Sequence, residues 1–163
     1  MRIPAITLLL LQTLPTLCAA ESSFTGSWYI DLRTPDEVAA KEECGGAGFE
    51  LIQKGKAISG THYFATVKCG RLNEGGAVKG IATGSEATLL VTSGRNGAVV
   101  RGKATLQRNR LTWQTLEEIK PGEPDGDSPL ILGKGVLIRQ EPEPQPNNSF
   151  KADTKPLRGS VRP

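Results

Sequence analysis

Side chains able to do chemistry are few in this sequence, and they do not converge. Its single histidine, His62, stands in Ile58-Ser59-Gly60-Thr61-His62-Tyr63-Phe64. A nucleophilic triad built on it needs a carboxylate behind the imidazole and a serine or cysteine ahead of it. No spacing marks such partners, and no Gly-x-Ser-x-Gly turn occurs to present a serine. His62 therefore reads as a structural or surface histidine, and no enzyme is expected. Glu117, Glu118, Glu123, Asp125 and Asp127 set oxygen ligands around Gly126. Their spacing falls short of a full calcium loop, so the stretch reads as a solvated acidic loop with no metal and no cofactor. At about twelve residues, 117–129 is still the longest expected connection, and long loops on a rigid scaffold are where binding tends to sit.

Arg2 precedes an apolar run over 3–14, followed by Pro15-Thr16-Leu17-Cys18-Ala19-Ala20. That order predicts a secretory signal peptide over 1–20, cleaved before Glu21 and too short to span a bilayer. Lipidation of Cys18 needs a small residue before it, and Leu17 fits poorly, so a secreted or periplasmic chain is expected. Cys44 and Cys69 then meet an oxidising compartment and should pair as a disulfide, closing a loop that stabilises the fold by about 3 to 4 kcal/mol. They are too far apart, with one histidine in the chain, to form a metal site.

Basic residues gather at Arg95, Arg101, Lys103, Arg108 and Arg110, where the period of two puts Arg101 and Lys103 on one face. They read either as the solvent face of a wall or as a patch for an anion or acidic partner. Twenty basic against seventeen acidic side chains give a net charge of +3, with the signs interspersed. Nucleic acid is not expected as a partner, because there is no basic stripe and the aromatics are scattered. No later apolar run is long enough for a transmembrane span.

The elements that must carry these residues are strands. Eight extended runs rich in Val, Ile, Thr and aromatics are predicted at 24–32, 47–54, 57–68, 77–83, 86–93, 98–107, 110–117 and 130–140. Between them stand Lys54-Gly55-Lys56, Gly75-Gly76, Gly84-Ser85, Gly94-Arg95-Asn96-Gly97 and Arg108-Asn109, residues that accept the positive φ of tight hairpins. Successive hairpins make an antiparallel meander, and closing it removes the exposed edges. The expected fold is therefore all-β, an antiparallel eight-stranded up-and-down barrel over 21–140. One short helix over 34–43 interrupts it between strands 1 and 2 and is expected to cover one barrel end, with Thr34 and Glu37 as a capping box, Pro35 in the first turn and Gly45-Gly46 after the end. A hairpin turning about Gly55 and Lys56 brings Cys44 and Cys69 nearly opposite at its open end. Trp28 and Trp113, in phase with Phe24, Ile30 and Leu32 and with Leu111, are expected to point inward, as core or as ligand wall. The Pro- and charge-rich tail 141–163 is expected to be disordered, and Asn147-Asn148-Ser149 is a glycosylation pattern if the host is eukaryotic.

Phe24-Thr25-Gly26-Ser27-Trp28-Tyr29-Ile30-Asp31-Leu32 resembles the opening strand of avidin-type barrels, and Ile58-Ser59-Gly60-Thr61 is similar to their third-strand Gly-Thr pattern. The resemblance extends to the wider calycin group, and it implies that Arg139 on the last strand packs over Trp28, as a closing-strand arginine does in lipocalins. It does not imply biotin, since Ile30 stands where the family places a ligand-binding Asn and His62 where it places a Tyr. The chain is also similar to small secreted inhibitors of bacterial metalloproteases, which combine a Gly-x-Trp first strand, one disulfide and an eight-stranded barrel. The expected function is thus an exported, non-catalytic module that binds an unknown protein partner through barrel-end loops. The alternative is a calycin-type carrier of a small apolar ligand in the barrel interior, marked by a void of roughly a few hundred Å3 lined by Trp28 and Trp113. Candidate contact residues are Trp28, Tyr63, Arg95, Arg101 and Trp113.

Overall fold

The structure, a computed structural model, describes residues 23–141. The predicted signal peptide with Cys18, and the predicted tail beyond Glu141 with its Asn147 pattern, lie outside the described residues. Eight antiparallel strands close into a barrel in chain order, with β8 returning to β1. They are β1 Gly26–Asp31, β2 Cys44–Lys54, β3 Ala57–Val67, β4 Leu72–Thr83, β5 Glu86–Thr92, β6 Val99–Gln107, β7 Arg110–Lys120 and β8 Lys134–Gln140. The two-residue alternation of strands sorts inside from outside. In β5, Ala87, Leu89 and Val91 are buried while Glu86, Thr88 and Leu90 face out.

Four of the predicted hairpin links fall at turns, and one does not. The β3–β4 reversal lies at 68–71, where Lys68 and Cys69 take φ values of 61° and 53°. Gly75, at φ 70°, sits inside β4 opposite a register shift between His62 and Phe64. Glu74 and Gly75 there face the single residue Tyr63, so the Gly75-Gly76 pair marks a β-bulge rather than a turn. Two further shifts in the β6–β7 ladder carry β7 on to Lys120, beyond the point where its inward alternation stops.

β2 and β3 pair with residue numbers summing to 111, as in Phe49 with His62 and Cys44 with Val67. The left-handed turn at 68–69 folds Cys69 back, and the two cysteines are bridged with their Cα atoms 5.3 Å apart. Before that hairpin, α1 (Pro35–Ala39) is shorter than expected. Its capping box is formed by Thr34 and Glu37, but it buries no residue, so the acid-rich segment after Ala39 has nothing to pack on and leaves the helix. Among the described residues no helix is long and apolar enough to cross a membrane.

The barrel interior is filled. Phe24, Trp28, Phe49, Leu89, Leu111, Trp113 and Leu137 are all essentially inaccessible and form one cluster. The Trp113 ring lies across Gly102, where any Cβ would enter the indole. Small residues on one strand thus make room for large ones on the next, which is how an eight-stranded interior reaches close packing.

Candidate functional site

The expected last strand, 130–140, begins four residues late, and the reason defines the most distinctive part of the molecule. Leu130, Ile131 and Leu132 read as strand because they are apolar, yet they turn into the barrel end instead of joining the wall. Leu130 and Leu132 are buried, and Leu130 holds a left-handed φ of 48°. Such a conformation in a branched side chain persists only where surrounding contacts over-determine it.

Those contacts come from polar side chains on three strands and one turn. The Leu132 N–H donates to His62 Nε2 (3.3 Å), while Trp113 Nε1 (2.6 Å) and Thr115 Oγ1 (3.1 Å) donate to the Leu132 carbonyl. Asn73 Nδ2 donates to the carbonyls of Pro129 (3.2 Å) and Leu130 (3.0 Å), and its Oδ1 accepts from Gly94 N–H (2.9 Å). Ser93 Oγ donates to the Pro129 carbonyl (2.8 Å), and Asn96 Nδ2 to that of Asp127 (2.8 Å). The Glu123 N–H donates to the Asn96 carbonyl (2.9 Å). Arg95 closes the outer side with a forked pair to Asp127 (3.1 and 3.2 Å). Segment 121–133 is therefore pinned along its length, and Glu123, Pro124, Asp125 and Gly126 project as an exposed tip.

His62 is the least expected member of this network. It is wholly enclosed, packed edge-on against Phe49 with ring centroids 4.8 Å apart. Burial lowers its pKa from 6.5 to about 4, so the ring is neutral at pH 7. Because Nε2 accepts from Leu132, the proton sits on Nδ1. That atom is buried and, among the described residues, has no hydrogen-bond partner.

The remaining candidates are dispersed. Trp28 and Trp113 lie in the core, their indole N–H groups spent on the Phe24 and Leu132 carbonyls. The Arg139 guanidinium lies over the Trp28 ring, 4.2 Å from its centroid. Tyr63 lies on the outer wall against Gly48, half-buried, with its hydroxyl pKa raised by burial. The basic residues separate, since Arg95 and Arg108 cap opposite ends of β6. Arg101 pairs with Glu117 on the outer wall, and Lys103 pairs with Glu86 (2.6 Å). The acids divide too, with Glu117 and Glu118 on β7 and Asp127 held by Arg95. No group of three or more His, Cys, Asp or Glu among the described residues is placed to hold a metal ion. A cleft of about 670 Å3 runs over the outside of β8, β1, β2 and β3 and is lined by neither tryptophan.

Asn73, Ser93, Asn96 and Thr115 are the site residues that sequence reasoning missed. The first three sit in Gly- and Asn-rich turn or bulge segments that read as solvated, and only the presence of two asparagines and a serine beside tight turns hinted at side-chain-to-backbone bonding, while Thr115 reads as an ordinary strand residue.

Fold and site together define a closed eight-stranded up-and-down barrel whose one end is filled by its own last connection. Compared with known proteins, the chain matches no family model, no curated protein and no solved structure.

Proposed function

We propose that this protein is an exported, non-catalytic binding module that presents the 121–133 loop to a protein partner. One observation carries the reading, namely that the loop is braced by buried Asn73, Ser93, Asn96, His62 and Trp113 while Glu123–Gly126 stay exposed. A connection fixed before it meets a partner loses little conformational entropy on binding, which is the advantage of a preorganised inhibitor-like loop. The disulfide is consistent with an oxidising, extracellular or periplasmic location. The absence of catalysis is supported by the enclosure of His62, which bonds a backbone N–H and neither an acid nor a nucleophile. Interior packing around Trp28 and Trp113 favours this reading over the carrier of an apolar ligand.

The test is affinity capture from the protein's own exported fraction at pH 7, run in parallel with the wild type, a tip variant (Glu123→Lys with Asp125→Lys) and a variant at the opposite barrel end (Arg108→Glu). The expected result is one protein retained by the wild type and by Arg108→Glu but lost by the tip variant. Equal retention by all three would overturn the reading.

A further inference from the structure

We propose that His62 is a proton-operated latch on the 121–133 loop, holding segment 130–132 in the barrel end at neutral pH and releasing it on acidification. Donors and acceptors set the direction of the switch. Neutral His62 offers Nε2 as the acceptor for the Leu132 N–H at 3.3 Å. A proton added at Nε2 turns that acceptor into a donor facing a donor, so the bond is lost and a cation is left without a partner.

Among the described residues, nothing nearby compensates for that charge. β2 sets Phe49 against the ring, β4 sets Gly76 opposite it, and the loop sets Leu132. The charged residues of these elements turn away: Glu50 outward to Ser27, Lys54, Glu74 and Lys79 to solvent, and Asp127 to Arg95. In the loop, Glu123 and Asp125 are exposed at the tip, and Lys134 beyond it is exposed as well. Burial is the one cause behind the lowered pKa, which is the behaviour of a site where a proton is unwelcome until the structure opens.

Of the two partners, the loop is the one that yields. His62 lies within β3, laddered on both sides to β2 and β4. Leu132 lies outside any strand and follows Leu130 in a left-handed conformation, so its position depends on side-chain bonds, of which protonation removes the one to its N–H. The sign follows from linkage: the folded pKa is below the unfolded one, so the closed state is fully favoured above pH 6.5 and progressively disfavoured as pH falls towards about 4. If the loop is the contact surface proposed above, acidification detaches it from its brace and lowers partner affinity. That consequence rests on the proposed function, whereas the latch does not.

The experiment is therefore done on the full chain alone. NMR from pH 7 to 4 follows the His62 ring protons together with amide exchange at Leu130 and Leu132, corrected for intrinsic rates, with Leu89 and Val91 of β5 as references. The expected outcome is ring titration well below 6.5, and Leu132 protection falling by about tenfold per pH unit between roughly pH 6 and 4.5 while the β5 amides stay protected. His62→Gln, which keeps an acceptor and cannot take the proton, should abolish that slope. Wild-type data alone also decide the matter if the variant fails to fold. A ring that titrates near 6.5 with unchanged Leu132 protection overturns the latch, as does simultaneous loss of protection at Leu132 and in β5. A chain that shows the release but captures no partner at pH 7 sinks the proposed function and leaves the latch standing.

Discussion

Asn73 shows what a single buried amide does in this fold. It is 1% exposed, and its three hydrogen bonds tie the start of β4 to the 93–98 turn and to the Pro129 and Leu130 carbonyls. An apolar side chain there would leave the Leu130 carbonyl and the Gly94 N–H without their partner, and each such orphan costs more than a bond contributes when made. Asn73→Ala should destabilise the protein by about 2 to 4 kcal/mol, read as a lower urea midpoint with an unchanged slope. It should also speed amide exchange at Gly94, whose N–H loses its acceptor. A loss under about 0.5 kcal/mol, the range of an ordinary surface substitution, would mean that the loop is held without it.

At the scale of elements, α1 and the 121–133 loop are opposite cases. The helix is specified by its own sequence, with Thr34 accepting from Glu37 N–H (3.3 Å) and the Glu37 carboxylate accepting from Thr34 N–H (2.7 Å), yet none of its residues is buried. Thr34→Ala should thus cost about 1 kcal/mol of local helix stability. The effect should appear as faster exchange at Val38 and Ala40, while the global denaturation midpoint stays put. A matching global loss would show that the helix packs on the barrel after all. The loop reverses this, since its hold comes from residues 17 to 70 positions away, from Thr115 to His62. That contrast explains what was legible in the sequence. Strands joined by Gly55, Gly84 and Arg108-Asn109 turns, the capped helix and the cysteine pairing all rest on short-range pattern or register, and they were readable. The inward course of Leu130–Leu132 was not, because an apolar triplet looks the same whether it joins a ladder or fills a barrel end. For the same reason Gly75-Gly76 read as a turn, since a bulge and a hairpin ask for the same positive φ.

For the whole molecule, the decisive step is closure of the ring. Most strand pairs share long ladders, and β2 with β3 aligns residues from Cys44 to Val67. β8 meets β1 over only Ser27–Gln140, Trp28–Arg139 and Tyr29–Ile138. Arg139 strengthens that short seam in two ways, stacking over Trp28 and donating to the backbone carbonyls of Thr25 and of Ser23 (2.7 Å). The disulfide cannot substitute for it, because Cys44–Cys69 staples the β2–β3 end and not the seam. Removing the guanidinium should therefore loosen closure more than it loosens any hairpin. Arg139→Ala is expected to cost about 1 to 3 kcal/mol, combining charge-assisted hydrogen bonds with a cation–π contact. Arg139→Lys should recover less than half of that, since an ammonium cannot fork between two carbonyls while lying flat on an indole. Hydrogen exchange locates the loss: Tyr29 and Ile138 should lose protection in Arg139→Ala while Phe49 and His62 in the β2–β3 ladder keep theirs. Uniform loss across both ladders would mean that the ring opens as a single cooperative unit and that the short seam is not its weak point.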